Sequence, residues 1–233
     1  MTTSRQADVE RAPTSADATT DVLDAPVVRF DRVERVVHWC NATLFGVLML
    51  TGAALYAGPI STLVGRRELV RTIHVYSGLA LPVPLLVGLC LRAGRQLRAD
   101  VRALSRWIPD DSRWLFSWGR DTRVRLGKFN PGQKLNATFV AAVIVVMLAT
   151  GSIMNWFNLF PTDYRTGAEF VHDWFALGLW LVVIGHVWLA FSDPVALHGM
   201  TGGSVTASWA RRHRPRWYEE LTGSAEGVPR ADR

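Results

Sequence analysis

The sequence predicts an all-α membrane protein built as a bundle of four transmembrane helices. Of the 233 residues, 49% are hydrophobic, and the apolar residues collect in four blocks of about twenty that are almost free of charge. A helix of about 20 residues rises about 30 Å, which matches the hydrocarbon core of a bilayer. This distribution excludes a soluble enzyme whose whole surface faces water.

The blocks divide the chain into an arm, a membrane domain and a tail. Residues 1–28 are rich in Thr, Ala, Asp and Ser and lack apolar periodicity, which predicts a disordered N-terminal arm. Residues 197–233 are predicted to form a basic cytoplasmic tail. The membrane domain between them, 29–196, contains the predicted spans, at about 37–57, 72–91, 135–157 and 170–192.

Basic residues between the blocks predict the orientation of the helices. Residues 92–134 carry eleven Lys and Arg, whereas the connections at 58–71 and 157–171 carry three and one. By the positive-inside rule the 92–134 loop is cytoplasmic, and with four spans both termini are cytoplasmic too. The net charge of +6 therefore fits the cytoplasmic side of a membrane protein, and we expect no nucleic-acid partner.

Four histidines lie inside the spans, where an ionisable side chain is costly and indicates function. A single histidine could equally be hydrogen-bonded to a neighbouring helix, so their relative depth matters. His38 begins a span that runs outward, while His74 and His172 begin spans that run inward. His186 follows His172 by fourteen residues, about 21 Å along the helix and on nearly the same face. The depths therefore predict an inner pair, His38 with His186, and an outer pair, His74 with His172.

Two imidazole pairs at two depths are what bis-histidine ligation of two b-type haems requires. Gly52 and Gly88 each follow a span's first histidine by fourteen residues and would leave room for a porphyrin edge at the opposite depth. Covalent c-type haem is excluded, because Cys-x-x-Cys-His does not occur in the sequence.

An arginine precedes a predicted ligand by three residues twice, in RVVH (35–38) and RTIH (71–74). One helical turn away, the guanidinium groups of Arg35 and Arg71 could bind haem propionates. An ordinary snorkelling residue at the end of a span is the alternative, and it remains open for Arg35. Arg71 is more informative, because the positive-inside rule predicts few cations on the outer side.

With these histidines placed, the chain resembles the gamma subunit of respiratory formate dehydrogenase, the di-haem cytochrome b of the prokaryotic b561-like superfamily. The resemblance covers about residues 29–220. It is carried by RVVHW, RTIHVYSG, the two histidines of the fourth span, and the more specific segments GKFNPGQK (127–134) and WARRHRPRWYEE (209–220). It implies that the outer pair holds a haem near an iron–sulfur partner, and that the inner pair holds a haem beside a menaquinone.

The resemblance further implies that this quinone lies against Asn130, Pro131, Gly132 and Gln133, although Pro131 departs from the small residue expected there. The residues themselves suit a quinone, because Asn130 and Gln133 offer amide groups, Gly132 allows close approach and Lys134 is a possible proton source. An ordinary helix cap at Asn130 and Pro131 is the competing interpretation. The residues alone favour the cap, and the resemblance favours the quinone site.

We therefore predict a membrane anchor and electron-transfer subunit in the bacterial cytoplasmic (inner) membrane. It would take electrons from an iron–sulfur (beta-type) subunit and pass them through two haems to menaquinone or another quinone. We predict no catalytic residue in this chain, since a molybdopterin subunit would oxidise the substrate. Alternatives are the cytochrome b of a nickel–iron hydrogenase or other molybdopterin oxidoreductase, a free-standing b561-like quinol oxidiser, and a haem-free adaptor or transporter whose histidines relay protons.

Overall fold

The computed structural model describes residues 25–121 and 123–223. The predicted disordered arm, 1–28, lies almost entirely outside this part of the chain. Its last residues, Pro26–Val28, instead form a β-strand, because they pair antiparallel with Ser204–Thr206 from the tail.

The described residues form eleven α-helices and two short strands. In chain order the elements are β1 (Pro26–Val28), α1 (Arg32–Tyr56), α2 (Gly58–Val64), α3 (Arg67–Ala80), α4 (Val83–Cys90), α5 (Arg95–Ser105), α6 (Pro109–Phe116), α7 (Pro131–Asn155), α8 (Thr162–Ser192), α9 (Pro194–Thr201), β2 (Ser204–Thr206), α10 (Ala207–His213) and α11 (Pro215–Thr222). A single 3-10 turn, Arg92–Gly94, precedes α5.

The prediction of a four-span helical membrane protein is confirmed. Four helical segments are long and apolar enough to cross a bilayer: α1, α3 with α4, α7 and α8. Their mean hydropathy values are 1.4, 1.7, 2.3 and 1.9, and no more than 11% of each apolar window is buried within the protein. Each helix begins before the predicted span. The exposed apolar side chains therefore form a belt that lipid covers.

The second span is broken near its middle. The helix α3 ends at Ala80, and α4 begins at Val83. Pro82 and Pro84 lack the N–H groups that would continue the helical hydrogen bonds, so the chain turns here before it resumes. Leu81 and Pro82 both keep right-handed helical backbone angles, so α4 continues the same span after this interruption.

Side-chain caps fix where the first and third spans begin. The Asp31 carboxylate accepts from the Glu34 N–H while the Glu34 side chain accepts from the Asp31 N–H, at 2.9 and 2.7 Å. Asn130 and Gln133 form the same reciprocal arrangement before α7. Each cap satisfies N–H groups that have no partner within their helix.

The bundle packs as two close pairs, α1 with α3 and α7 with α8. One end is covered by a small folded unit, here called the cap, which comprises β1, β2, α10 and α11. Its core is formed by Val205, Trp209, Ala210 and Trp217. The start of α1 reaches the end of α9, because the Trp39 indole donates to the Met200 carbonyl at 3.2 Å. The bundle therefore has a capped end and an open end.

Candidate functional site

The four intramembrane histidines form two pairs. The ring centroids of His38 and His186, the inner pair, lie 6.2 Å apart near the capped end. Those of His74 and His172, the outer pair, lie 6.3 Å apart toward the open end. In each pair the rings are inclined, at 59° and 63°. The structure thus brings together the same partners that the helix depths predict.

Both separations fit one metal ion between two imidazoles. Metal–nitrogen bonds of about 2 Å on opposite sides of an ion place the two ring centroids about 6 Å apart. Neither pair joins helices that pack closely, since the main helix contacts are α1 with α3 and α7 with α8. Among the described residues, no three His, Cys, Asp or Glu side chains cluster as a metal site. Two facing histidines without further protein ligands would suit a haem, whose own ring would supply the remaining nitrogen ligands.

Each outer histidine is held by a Thr-Gly dipeptide on a neighbouring helix. Thr51 Oγ1 lies 2.9 Å from His74 Nδ1, and Thr150 Oγ1 lies 2.9 Å from His172 Nδ1. A Cβ on the glycine that follows each threonine, Gly52 or Gly151, would come within 3.4 or 3.5 Å of the same imidazole ring. Of these four residues, only Gly52 is predicted from the sequence. The repeated Thr-Gly, late in the first and third spans, was the available signal for the others.

Gly88 lies where α4 packs against α1 and α5. A Cβ at Gly88 would lie 2.8 Å from both Val37 Cγ2 and Leu97 Cδ2. Side chains of α1 and α5 therefore lie directly against Gly88, and its place beside a porphyrin edge stays a prediction. The fourteen residues from His74 to Gly88 cross the interruption between α3 and α4 at Pro82.

The two arginines that precede ligands are engaged with protein groups. Arg35 donates to the Thr201 carbonyl at 2.7 Å and to the Asp31 carbonyl at 3.4 Å. Arg71 donates to Asn155 Oδ1 at 3.0 Å and pairs with Glu68 at 3.2 Å. Arg35 lies at the capped end, in the wall of a cavity of about 290 Å³. Arg71 is exposed and joins α3 to the end of α7.

The GKFNPGQK loop contains a helix cap. Asn130 Oδ1 accepts from the Gln133 N–H at 2.8 Å, and Gln133 Oε1 accepts from the Asn130 N–H at 3.0 Å. Both amide oxygens are thereby used within the loop. The two side-chain NH2 groups remain as donors, and Gly132 beside them is exposed. A helix cap and a binding site for a ligand carbonyl can therefore coexist at this loop, because the side-chain NH2 groups of the two amides remain free to donate.

Buried ion pairs hold both ends of this loop. Lys134 Nζ lies 2.6 Å from Asp111 Oδ2 and donates to the Arg106 carbonyl at 3.0 Å. Lys128 pairs with Asp100 and, at 3.4 Å, with Glu34. Because these charged side chains are almost fully buried, each is stable only while its oppositely charged partner is present. The ammonium group of Lys134, suggested above as a proton source, is committed to this contact.

The cap binds the loop through two buried arginines. Arg214 donates to the Lys128 carbonyl at 3.3 Å and to Gln133 Oε1 at 3.4 Å, and Arg29 donates to the same carbonyl at 3.3 Å. Burial lowers the pKa of each to about 10, and the neighbouring charge of Arg214 adds to the effect on the pKa of Arg29. Both remain charged at neutral pH. The two sequence segments most specific to the resemblance, 127–134 and 209–220, are thus in contact.

Four apolar helices with two pairs of facing imidazoles define a multi-pass membrane protein of the b-type cytochrome class. The chain belongs to the prokaryotic cytochrome b561 family, which matches residues 29–203. This family binds haem b and resides in the inner membrane, so the prediction of a haem-b protein spanning that membrane is confirmed.

Curated relatives carry more specific names. The chain is 28% identical to the cytochrome b556(Fdn) subunit of the nitrate-inducible formate dehydrogenase of Escherichia coli K12, over 84% of this chain and 91% of that protein. It is 26% identical to the formate dehydrogenase cytochrome b556 subunit of Haemophilus influenzae, over 84% of both chains. It is 25% identical to the cytochrome b556(fdo) subunit of formate dehydrogenase of E. coli K12, over 86% of this chain and 95% of that protein.

Proposed function

We propose that this chain is the di-haem cytochrome b subunit that anchors a formate dehydrogenase-type complex in the membrane and passes electrons to a quinone. The observation that carries the proposal is the presence of two histidine pairs, 6.2 and 6.3 Å between ring centroids, toward opposite ends of one bundle. Two such sites would divide the path of an electron across the membrane into shorter transfer distances. A single site would support haem binding but no path across the bilayer.

In this proposal His74 with His172 hold the outer haem, and His38 with His186 hold the inner one. When bound, haem iron accepts and releases single electrons. The protein contributes the ligands, their spacing and a surrounding of low polarity. At the capped end, Arg35 lines a cavity and is the candidate partner for a propionate of the inner haem. On the outer side, Arg71 is the candidate partner for a propionate of the outer haem.

The quinone site proposed here is the loop of Asn130, Gly132 and Gln133. The two amide NH2 groups can donate to a quinone carbonyl, while their oxygens maintain the start of α7. Gly132 has no side chain to block approach to the backbone. Protons for the reduced quinone would come from the side of the basic loop, which the charge distribution assigns to the cytoplasm.

The substrate belongs to a partner in this proposal. The chain has only two cysteines, Cys40 and Cys90, which are too few for an iron–sulfur cluster with four cysteine ligands. We infer an iron–sulfur subunit on the outer side and a molybdopterin subunit behind it. The names of the curated relatives support formate as the substrate of that complex.

The partners can be identified by affinity purification of the tagged chain from membranes of its own host under mild detergent. We expect an iron–sulfur subunit and a molybdopterin subunit in stoichiometric amounts, with formate reducing the b haems of the intact complex. Copurification of a nickel–iron subunit, with reduction by hydrogen instead, would contradict the assignment. Purification of the chain alone, with reduction by quinol, would indicate a free-standing quinol oxidiser.

The quinone site can be tested separately from the helix cap. Asn130→Asp keeps the oxygen that caps α7 but replaces the NH2 donor, whereas Asn130→Ser keeps a capping oxygen without an amide. Loss of one hydrogen bond worth about 1 kcal/mol raises the KM for quinone about fivefold. We expect this increase in both variants, with thermal stability close to that of the wild type. An unchanged KM in both would refute the role of Asn130.

A further inference from the structure

We propose that Thr51 and Thr150 are positioning residues of the outer histidine pair, and that they lower the reduction potential of the outer haem relative to the inner one. The inference rests on the proposed function, because it concerns a haem held by His74 and His172. Its basis is the same hydrogen-bonded arrangement occurring twice, on α1 and on α7.

The direction of these hydrogen bonds follows from what the threonine hydroxyls contact. Thr51 Oγ1 lies 2.7 Å from the Val47 carbonyl oxygen, and Thr150 Oγ1 lies 2.8 Å from the Val146 carbonyl oxygen. A carbonyl can only accept, so each hydroxyl gives its one hydrogen to its own helix. Toward the histidine the oxygen can then only accept.

The histidine must therefore donate, and this fixes its tautomer. Nδ1 of His74 and Nδ1 of His172, each 2.9 Å from a threonine oxygen, carry the ring hydrogen. Nε2 on both rings keeps a free lone pair, which is what a metal ligand needs. The adjacent glycines, Gly52 and Gly151, let each ring approach the helix that holds it. The Thr-Gly dipeptide of α1 thus orients His74, and that of α7 orients His172.

A hydrogen bond accepted from Nδ1–H makes the imidazole a more basic ligand. Greater basicity stabilises ferric iron more than ferrous iron, because the ferric ion has the higher charge. The ferric form of the outer haem is thereby favoured, and its reduction potential falls. Two such bonds would act on the same haem, one through each histidine.

The inner pair differs. Within residues 25–121 and 123–223, hydrogen bonds to an intramembrane histidine ring are found at His74 and His172, and none is found at His38 or His186. This source of stabilisation for ferric iron therefore acts at the outer depth alone. The difference favours transfer of one electron from the outer haem, which is oxidised, to the inner haem, which is reduced by that electron.

Potentiometric titration of the b haems tests this directly. Thr51→Val and Thr150→Val remove the acceptor while keeping nearly the same side-chain volume. We expect each substitution to weaken the preference of the outer haem for the ferric state about tenfold. Its reduction potential should therefore rise by about 59 mV for a one-electron couple. Thr51→Ser and Thr150→Ser keep the hydroxyl and should keep the wild-type potential. The inner haem should not move.

Thr43→Val is the matched control. Thr43 also lies on α1 and donates to a carbonyl four residues back, that of Trp39, at 2.9 Å. It has the same local hydrogen bond as Thr51, but no histidine partner. We expect no change in either potential. A shift in Thr43→Val equal to that in Thr51→Val, or wild-type potentials in both Thr51→Val and Thr150→Val, would overturn the proposal.

A measurement on the wild type covers the case in which a valine variant fails to assemble. With ¹⁵N-labelled histidine in the reduced, diamagnetic protein, NMR should show two ligand rings with a hydrogen-bonded Nδ1–H that exchanges slowly with solvent. Four equivalent ligand rings would overturn the proposal. A wild type that binds no haem would instead contradict the proposed function, so the two failures are distinguishable.

Discussion

Asp111→Asn removes one charge from a buried ion pair at the start of the third span. The side chains of Asp111 and Lys134 are 2% and 9% exposed, and their charged atoms lie 2.6 Å apart. The same carboxylate accepts from the Ile108 N–H at 2.9 Å. The substitution therefore leaves a buried ammonium group without a counter-charge, at the point where the loop meets α7.

Breaking a buried pair by removing one partner costs about 3–5 kcal/mol of stability. Lys134 keeps its bond to the Arg106 carbonyl, at 3.0 Å, so we expect the lower end of that range. At roughly 2–4 °C per kcal/mol for a chain of this size, Tm should fall on the order of 10 °C. The measurement is thermal unfolding of the detergent-purified protein.

Asp110→Asn provides the matched control, since it makes the same chemical change one residue earlier. Asp110 pairs at 3.4 Å with Arg113, whose side chain is 70% exposed, and an exposed pair contributes about 0–1 kcal/mol. Replacing both buried partners, in Asp111→Leu with Lys134→Met, should recover much of the stability lost in the single variant. Equal Tm values for Asp111→Asn and Asp110→Asn would refute the reasoning.

Two further substitutions test the site at each end of the bundle. Gly52→Val should displace the His74 ring, because a Cβ would already touch the ring at 3.4 Å and leave no room for the two methyl groups, and the outer haem should be lost; Gly46→Val, with nothing within 4 Å, should keep both haems by haemochrome count. Arg214→Leu removes two of the three arginine hydrogen bonds to the loop, so hydrogen exchange at 127–134 should be faster than in the wild type, by a factor that does not change with pH well below the Arg214 pKa of about 10, while Arg212→Leu should leave exchange unchanged. Loss of the inner haem in Gly52→Val, or equal exchange rates in the two arginine variants, would argue against these assignments.

The sequence predicted the bundle and the depths of the histidines for the same reason. Apolar length and helix rise are local properties, so they place His38, His74 and His172 at span ends without knowledge of packing. The fourteen residues from His172 to His186 lie within one unbroken helix, α8, and the separation along that helix was reliable. The same spacing from His74 to Gly88 crosses Pro82, where α3 ends and α4 begins, so the place of Gly88 beside a haem stays a prediction.

Contacts between distant segments were not predicted from the sequence. Lys128 meets Glu34 and Asp100, and Arg214 reaches back to the carbonyl of Lys128. None of these residues stands out by spacing or periodicity, because each partner lies on another element. Thr51 is similar, since a threonine in a membrane helix is ordinary until the neighbouring helix brings His74 to it.

The central claim is that two haems are held by two separate histidine pairs. It is tested most directly by a pyridine haemochrome count, with reduced-minus-oxidised spectra, on the purified wild type, His38→Ala and His74→Ala. We predict two b haems per chain in the wild type and one in each variant, with a different spectral component lost in each. A wild type without haem, or variants that both retain two haems, would contradict the account.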